Sequence, residues 1–488
     1  MADLRNSITA LLPALLLAVV CTAAAARNDL PLLGDASSSS VSLQQEKLLG
    51  SLWLKMFRSR VQAHRDPLLQ DYLERLLYNL ATYSELRRAD LQLVLIDNPS
   101  MNAFAVPGGV IGFHTGVFTY ADNEDQLASV LAHELAHLSL RHFARGVENA
   151  ENRSKLNMAG LLAAVVLAAT AGGDAATAAL MTTQAASLQQ QLAYSRSNEQ
   201  EADREGIKTL LRAGRDATQV AAMFENMLKA TRYTGSRPPE YLLTHPVTER
   251  RVADALNRTG YTSSGIGPRR VDSEFDLLRA RARANSWPTP QLALDAFRAE
   301  RDNALPGTAQ AQAAEYGIAV MQLQLGDLDA AQRAIATVRH SRPDSATARY
   351  TEQEIALAQG DYSGVIAALE RQLRADPGHY PAQWLLAEAH WQAGNTATAA
   401  RLLQQLSRQR PEDPAVWYQL AELRGLAGDI AGVHAARAEY FILIGVFDRA
   451  REQLQLALGL LQDDFKRSAV LRQRLLELAD YQRRAEQL

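Results

Sequence analysis

The sequence predicts a mainly helical α+β domain with a small sheet, followed by an all-α solenoid. Three observations carry that expectation. Three short strand-like segments between Leu91 and His114 precede a run of helix formers, free of Gly and Pro from Asn123 to Arg145. Beyond residue 273 the apolar spacing is helical almost throughout. There, Gly326, Gly360, Gly394 and Gly428 recur at a fixed interval, and Pro343, Pro377 and Pro411 recur at the same interval. A repeat of roughly 34 residues, with Gly at one turn and Pro at the other, describes two antiparallel helices per unit, each burying its apolar face only against its neighbours.

The chain has 488 residues, enough for two or three domains, and its 47% hydrophobic and 22% charged content fits a protein with real cores. The net charge of −3 creates no field that would draw nucleic acid, so no such partner is expected. The single cysteine, Cys21, falls in an N-terminal leader: Arg5 marks its basic start, Ile8 to Val20 its apolar run, and Ala23 to Ala26 its small-residue cleavage sites. Residues 1–26 therefore read as a secretory signal, and 27–40, with Ser37 to Ser40, as a flexible lead-in. Processing would leave a chain without disulfides or thiol chemistry, and export of such a chain points to a bacterial periplasm.

Apolar residues at helical spacing follow in Leu43 to Arg60 and Leu68 to Tyr83. Leu91 to Ile96 reads as a strand ended by Asn98-Pro99. Asn102 to Val106 and Val110 to His114 read as two more, joined by the turn Pro107-Gly108-Gly109. An edge of this sheet near Asn102 to Phe104 can align an extended peptide by strand addition, or the hairpin can be purely structural. Leu156 to Gly173 carries no charge. Its Ala-rich content and Gly172-Gly173 ending favour a helical hairpin over a cleft, with a peripheral membrane contact allowed for, rather than a span. Gln184 to Gln191 resumes a polar helical pattern.

Within the long helix lies His133-Glu134-Leu135-Ala136-His137. Its two histidines fall one turn apart on the same face, where both imidazoles can bind one Zn²⁺. Glu134 can then sit beside a zinc-acidified water and take its proton as the water attacks a peptide carbonyl. His142, five residues after His137, is expected on a different face as a surface residue. Phe143 and Asn157 stand where two other arrangements of this motif carry a third ligand. Asn198-Glu199-Gln200-Glu201-Ala202-Asp203 offers an alternative: Glu199 and Asp203 share a helix face, as a ligand and a carboxylate holding a histidine ring N–H would. The same run can equally be a solvated acidic face.

These blocks, with Asn102 to Gly109 and Thr244-His245-Pro246, resemble zinc endopeptidases of the HtpX, Oma1 and CAAX-prenyl-protease type across about 150 residues. The resemblance implies a zincin-type protease domain with one Zn²⁺ per chain on His133, His137 and Glu199. It also implies Glu134 as general base and a supporting or proton-donating role for Asp203. The prenyl-protease type carries membrane spans; an exported member with helical repeats is similar instead to the BepA-type periplasmic protease–chaperones. That likeness implies protein substrates and, through the repeats, the outer-membrane protein assembly machinery as partner.

Pro246 forces His245 out of helical geometry and can open a helix, so His245 is expected exposed on a loop and able to point into a cleft. It could cap zinc as a fourth ligand at rest, or stabilise an oxyanion once the loop swings out; a plain helix-start loop is the alternative. Arg251 is a second candidate for the oxyanion. The turn-rich stretch 260–272 reads as a linker between a protease domain, 41–259, and a tetratricopeptide domain, 273–488. Trp384, Trp391, Trp417 and Tyr418 are expected in the inter-helix core. His340, His379, His390 and His434 are expected to hold no metal. Two functions compete: a periplasmic zinc endopeptidase acting on misfolded or stalled envelope proteins, and an assembly scaffold whose zinc site is mainly latent.

Overall fold

Two helices, α1 (Leu43–Arg58) and α2 (Pro67–Tyr83), precede the sheet in the computed structural model, which describes residues 41–61, 65–86, 90–151, 196–233, 239–260 and 274–486. The leader, the lead-in, Leu156 to Gly173, Gln184 to Gln191 and the linker beyond Gly260 lie outside the described residues. The entry to α2 is set locally. Asp66 accepts from the N–H groups of Leu68 and Leu69, and Pro67 occupies the first helical position, where no amide hydrogen is required.

The three strands are β1 (Gln92–Ile96), β2 (Ala103–Val106) and β3 (Val110–His114), in the order β1-β3-β2. β1 runs parallel to β3 with Gln92 opposite Val110, and β2 runs antiparallel with Ala103 opposite Phe113. β3 is central and every residue of it is buried. α1 covers the hairpin through Trp53, which stacks on Phe57 at 4.9 Å and meets Phe104 edge-on at 5.4 Å.

Short helix α3 (Val117–Tyr120) leads into α4 (Glu124–Ser139), followed by α5 (His142–Glu151), α6 (Arg196–Arg212), α7 (Gln219–Tyr233), α8 (Glu240–Thr244) and α9 (Glu249–Gly260). Asn123 caps α4 by accepting from Gln126 N–H, and Glu124 and Asp125 place negative charge at its N-terminus. Both acids also pair with Arg215, at 2.7 and 2.9 Å. Every residue from Gln126 to His137 is buried, with α2, α6, α7 and β2 packed around the helix. Polar side chains on such a helix must find partners inside the protein.

From Phe275–Arg283 to Phe465–Glu486 the chain forms helical pairs. The recurring glycines all take left-handed backbone, with φ of 79° at Gly326, 88° at Gly360, 81° at Gly394 and 79° at Gly428. Each stands at the end of a helix, where a side chain would be strained. Asp327, Asp361 and Asp429 directly after them cap the next helices. The Gly-Asp pairs thus end one helix and start the next. Gly445 stands where the pattern calls for Pro; it too is left-handed, and a Cβ there would come within 3.0 Å of the Lys55 carbonyl on α1. Trp384 and Trp417 pack against the solenoid core as expected, but Trp391 and Tyr418 do not go inside: they remain 38% and 40% exposed.

The solenoid shares a core with the preceding domain. The cluster that holds Leu73 and Leu77 of α2 continues into Tyr350, Leu369 and Leu385. Arg410 grips Glu74 with two hydrogen bonds of 2.8 and 2.7 Å, and Arg281 bridges Asp66 at 2.5 Å to Glu354 at 2.7 Å. Ser51 on α1 meets the Tyr481 hydroxyl at 3.2 Å.

His114 closes β3 with no exposure; its Nδ1 meets Ser100 Oγ at 3.1 Å, while its Nε2 has no partner among the described residues. Burial pushes its imidazole down to about 4. The fold therefore binds the neutral ring, and below the ordinary histidine value only the unfolded chain takes up the proton. Stability is intact above about pH 6.5 and falls as pH drops toward 4, by about 2–3 kcal/mol from this group. Urea midpoints of the protein and of His114→Gln, compared at pH 7 and 4.5, should show the variant losing less on acidification. Equal losses would remove His114 from the account.

Candidate metal centre

α4 presents His133 and His137 on one face, and α6 crosses that face with Glu199. The crossing is close because Gly206 of α6 lies on the backbone of Ala132 and His133, where even a Cβ would sit at 3.4 Å. The donor atoms converge. His133 Nε2 is 3.0 Å from His137 Nε2 and 3.4 Å from Glu199 Oε2, and His137 Nε2 is 3.5 Å from Glu199 Oε1. A fourth donor joins them: His245 Nδ1 stands 3.4 Å from His133 Nε2 and 3.1 Å from Glu199 Oε1. All four side chains are buried. Tetrahedral zinc with bonds of about 2.0–2.1 Å would set its donors roughly 3.3 Å apart, so these residues fit such an ion.

The electrostatics point the same way. Ring nitrogens turned lone pair to lone pair inside a protein are favourable only with a cation or a proton between them. Burial opposes charge on His133, yet Asp203 and Glu199 push it up to about 10. His137, buried beside that ring, is pushed down. Burial would raise Glu199, but His245 and His133 hold it well below the usual carboxylate range.

Glu134 projects from α4 with its carboxylate fully buried, its Oε1 3.8 Å from His245 Nε2. Burial raises its carboxyl above the ordinary value. The neighbouring Asp203 is held differently. Its Oδ1 lies 3.0 Å from His133 Nδ1, and both its oxygens take 2.7 Å hydrogen bonds from Arg251. Arg251 also reaches Glu199 Oε2 at 3.0 Å and the Pro246 carbonyl at 2.9 Å, over the Phe224 ring. Its fork is spent on these carboxylates, so the structure corrects the oxyanion role considered for it to one of neutralising and positioning.

His245 ends α8 and is only 1% exposed, which corrects the expectation of an exposed loop residue. Its N–H donates to Tyr241 O at 2.8 Å and its ring stacks on Tyr241 at 4.7 Å. Tyr241 N–H in turn donates to Met101 O beside β2, so α8 docks at the sheet edge. The next helix opens at Glu249 rather than Pro246, with Thr248 Oγ1 accepting from Arg251 N–H.

His142 is the larger correction. It is buried, not on the surface, and its Nδ1 lies 2.8 Å from His137 Nδ1. α4 ends at Ser139, and Arg141 takes φ of +50°, which turns the chain back over His137. The helical extrapolation failed because nothing in Leu140-Arg141 announces that break. Tyr241, under His245, also went unread; its signal was the one-turn spacing from Tyr241 to His245.

Residues 67–259 match peptidase family M48, and 316–380 and 356–423 match tetratricopeptide repeats. The beta-barrel assembly-enhancing protease of Escherichia coli (strain K12) is 33% identical over 94% of this chain and 94% of its own length. The chain belongs to the BepA-type branch of peptidase family M48. A further beta-barrel assembly-enhancing protease, from Yersinia pestis, is 32% identical over 95% of this chain and 92% of its own. The mitochondrial metalloendopeptidase OMA1 of Schizosaccharomyces pombe is 28% identical over 37% of this chain and 50% of its own. This M48 chain is a metallopeptidase, and its fold is the one read from the sequence: a mainly helical domain with a small sheet, then helical repeats. The family implies a divalent metal.

Proposed function

We propose that the chain is a zinc-dependent endopeptidase of the bacterial periplasm, cleaving misfolded or stalled envelope proteins that its repeats help to hold. The observation that carries this reading is the convergence of His133, His137 and Glu199 beside a buried carboxylate, Glu134. Zinc on those donors would acidify water and polarise a peptide carbonyl. Glu134 takes the proton of the attacking water and delivers it to the leaving amine. Asp203 keeps His133 oriented, and Arg251 balances the charge of Asp203 and Glu199. The β2 edge near Asn102 to Phe104, at whose start α8 docks, would align the substrate strand. The relatives are beta-barrel assembly-enhancing proteases, which supports β-barrel proteins of the envelope as the substrate class and their assembly machinery as the docking partner. Among the described residues no helix is long and apolar enough to cross a membrane.

The test is cleavage of an unfolded outer-membrane β-barrel protein by the processed chain. Cleavage should stop with a chelator and return with stoichiometric zinc; cleavage indifferent to both would end this reading.

A second reading, an assembly scaffold with a latent site, is favoured by the placement of His245. Four protein donors leave no position for water. We expect His245→Ala to raise cleavage by roughly tenfold or more, the effect of releasing a site open in about a tenth of molecules or fewer. Activity that neither rises nor falls would rule out both the capping and the oxyanion role. If a strain carrying Glu134→Gln keeps full envelope integrity, the scaffold role dominates.

A further inference from the structure

His137 has two ring nitrogens, and the proposed chemistry uses one. Nε2 faces His133 and Glu199; Nδ1 points the other way, onto His142. The two rings meet edge-on, with centroids 4.8 Å apart and planes at 72°. Two nitrogens at 2.8 Å share a single proton. If His137 gives its Nε2 lone pair to a metal, its proton sits on Nδ1 and His142 must accept there. His142 then carries its own proton on Nε2, which lies 3.3 Å from Glu201 Oε2. Glu201 is held by Arg145 at 3.0 Å.

Two features argue against accidental packing. His142 reaches His137 only because Arg141 adopts left-handed backbone, the one non-glycine residue to do so among the described residues, at a cost of about 1–2 kcal/mol. Arg141 is tied there by Glu46 of α1 at 3.3 Å. The far end of the chain of contacts, Glu201, lies two residues from Glu199 on α6, so one helix supplies both a metal donor and the terminal acceptor. His133 has the matching device in Asp203, backed by Arg251.

We propose that His142 and Glu201 form a positioning relay, Glu201–His142–His137, that fixes the tautomer and ring orientation of His137 for metal binding. It does for His137 what Asp203 does for His133, with a neutral imidazole interposed before the carboxylate. His142 meets the centre through His137 Nδ1 and takes no part in bond breaking. The inference rests on the metal-site reading above.

The test uses the full processed chain in a Glu134→Gln background, so that self-cleavage cannot interfere, with Zn²⁺ competed against a chromophoric chelator and Co²⁺ followed by its visible absorption. His142→Phe should weaken Zn²⁺ by roughly 10–100-fold and alter the Co²⁺ spectrum, as loss of a partner behind a metal-ligating histidine does. His142→Asn, whose Oδ1 can accept in place of Nδ1, should stay within about threefold of the parent, a rescue that simple packing would not give. Glu201→Ala, at a partly exposed position that spares the fold, should cost several-fold. Parental affinity and spectrum in both His142→Phe and Glu201→Ala would overturn the relay. If His142→Phe does not fold, parental affinity in Glu201→Ala overturns it alone. A parent that holds no Zn²⁺ sinks the metal-site reading, and the relay with it.

Discussion

Glu134→Gln should reduce cleavage of an unfolded substrate by roughly 10²–10⁴-fold, the range that loss of a positioned general base produces. Zinc should remain bound at one per chain, because the donors His133, His137 and Glu199 are untouched. The substitution suits the site: Gln fills the same buried volume, and the contact it weakens, His245 Nε2 at 3.8 Å from Oε1, is a long one. Only the capacity to take a proton disappears. Burial raises the carboxyl above that of an exposed glutamate, which favours uptake of a proton from the attacking water. Stability should stay the same or rise slightly, since a buried charge is removed. Metal analysis, thermal unfolding and a cleavage assay on one preparation decide the matter. A variant that retains a tenth or more of the activity would transfer the base role elsewhere.

Arg251→Met should be the most destabilising single change near the centre, lowering unfolding free energy by about 3–5 kcal/mol. The guanidinium is 4% exposed and is shared by Asp203 and Glu199, themselves 7% and 2% exposed. Methionine approximates its stem and keeps contact with Phe224, so the loss measures the uncompensated carboxylates rather than a cavity. Arg251→Lys should recover part of the loss, since one ammonium cannot make two parallel bonds to Asp203. Pairing Arg251→Met with Asp203→Asn should cost clearly less than the sum of the two single changes, as coupled neighbours do. Urea midpoints of the four proteins close that cycle. Additive losses, or a loss under about 1 kcal/mol for Arg251→Met, would mean the pair is not the support described.

Much of this protein was legible because much of it is local. The i, i+4 pairs His133 with His137 and Glu199 with Asp203 follow from helical spacing alone. The Gly-Asp turns at 326, 360 and 428 each solve their own backbone problem, a left-handed helix end and a cap for the next helix, within a few residues. What escaped the reading has identifiable causes. Leu140-Arg141 carries no Gly or Asn to announce a left-handed turn, so His142 was assigned to the wrong environment. Arg251 looked available because its two carboxylate partners stand on another helix.

By itself the sequence determined the strand pattern, the repeat register, and which residue types could grip a cation. It could do so because hydrophobic periodicity, caps and i, i+4 spacing are short-range properties of a chain. Tertiary structure alone decided that His245 joins Glu199 at 3.1 Å, that His142 backs His137, and that Arg410 closes the solenoid onto Glu74. Those contacts join residues on different elements, the last of them more than three hundred positions apart. They form only when burial of a common core brings their helices together and forces each buried polar group to find a partner.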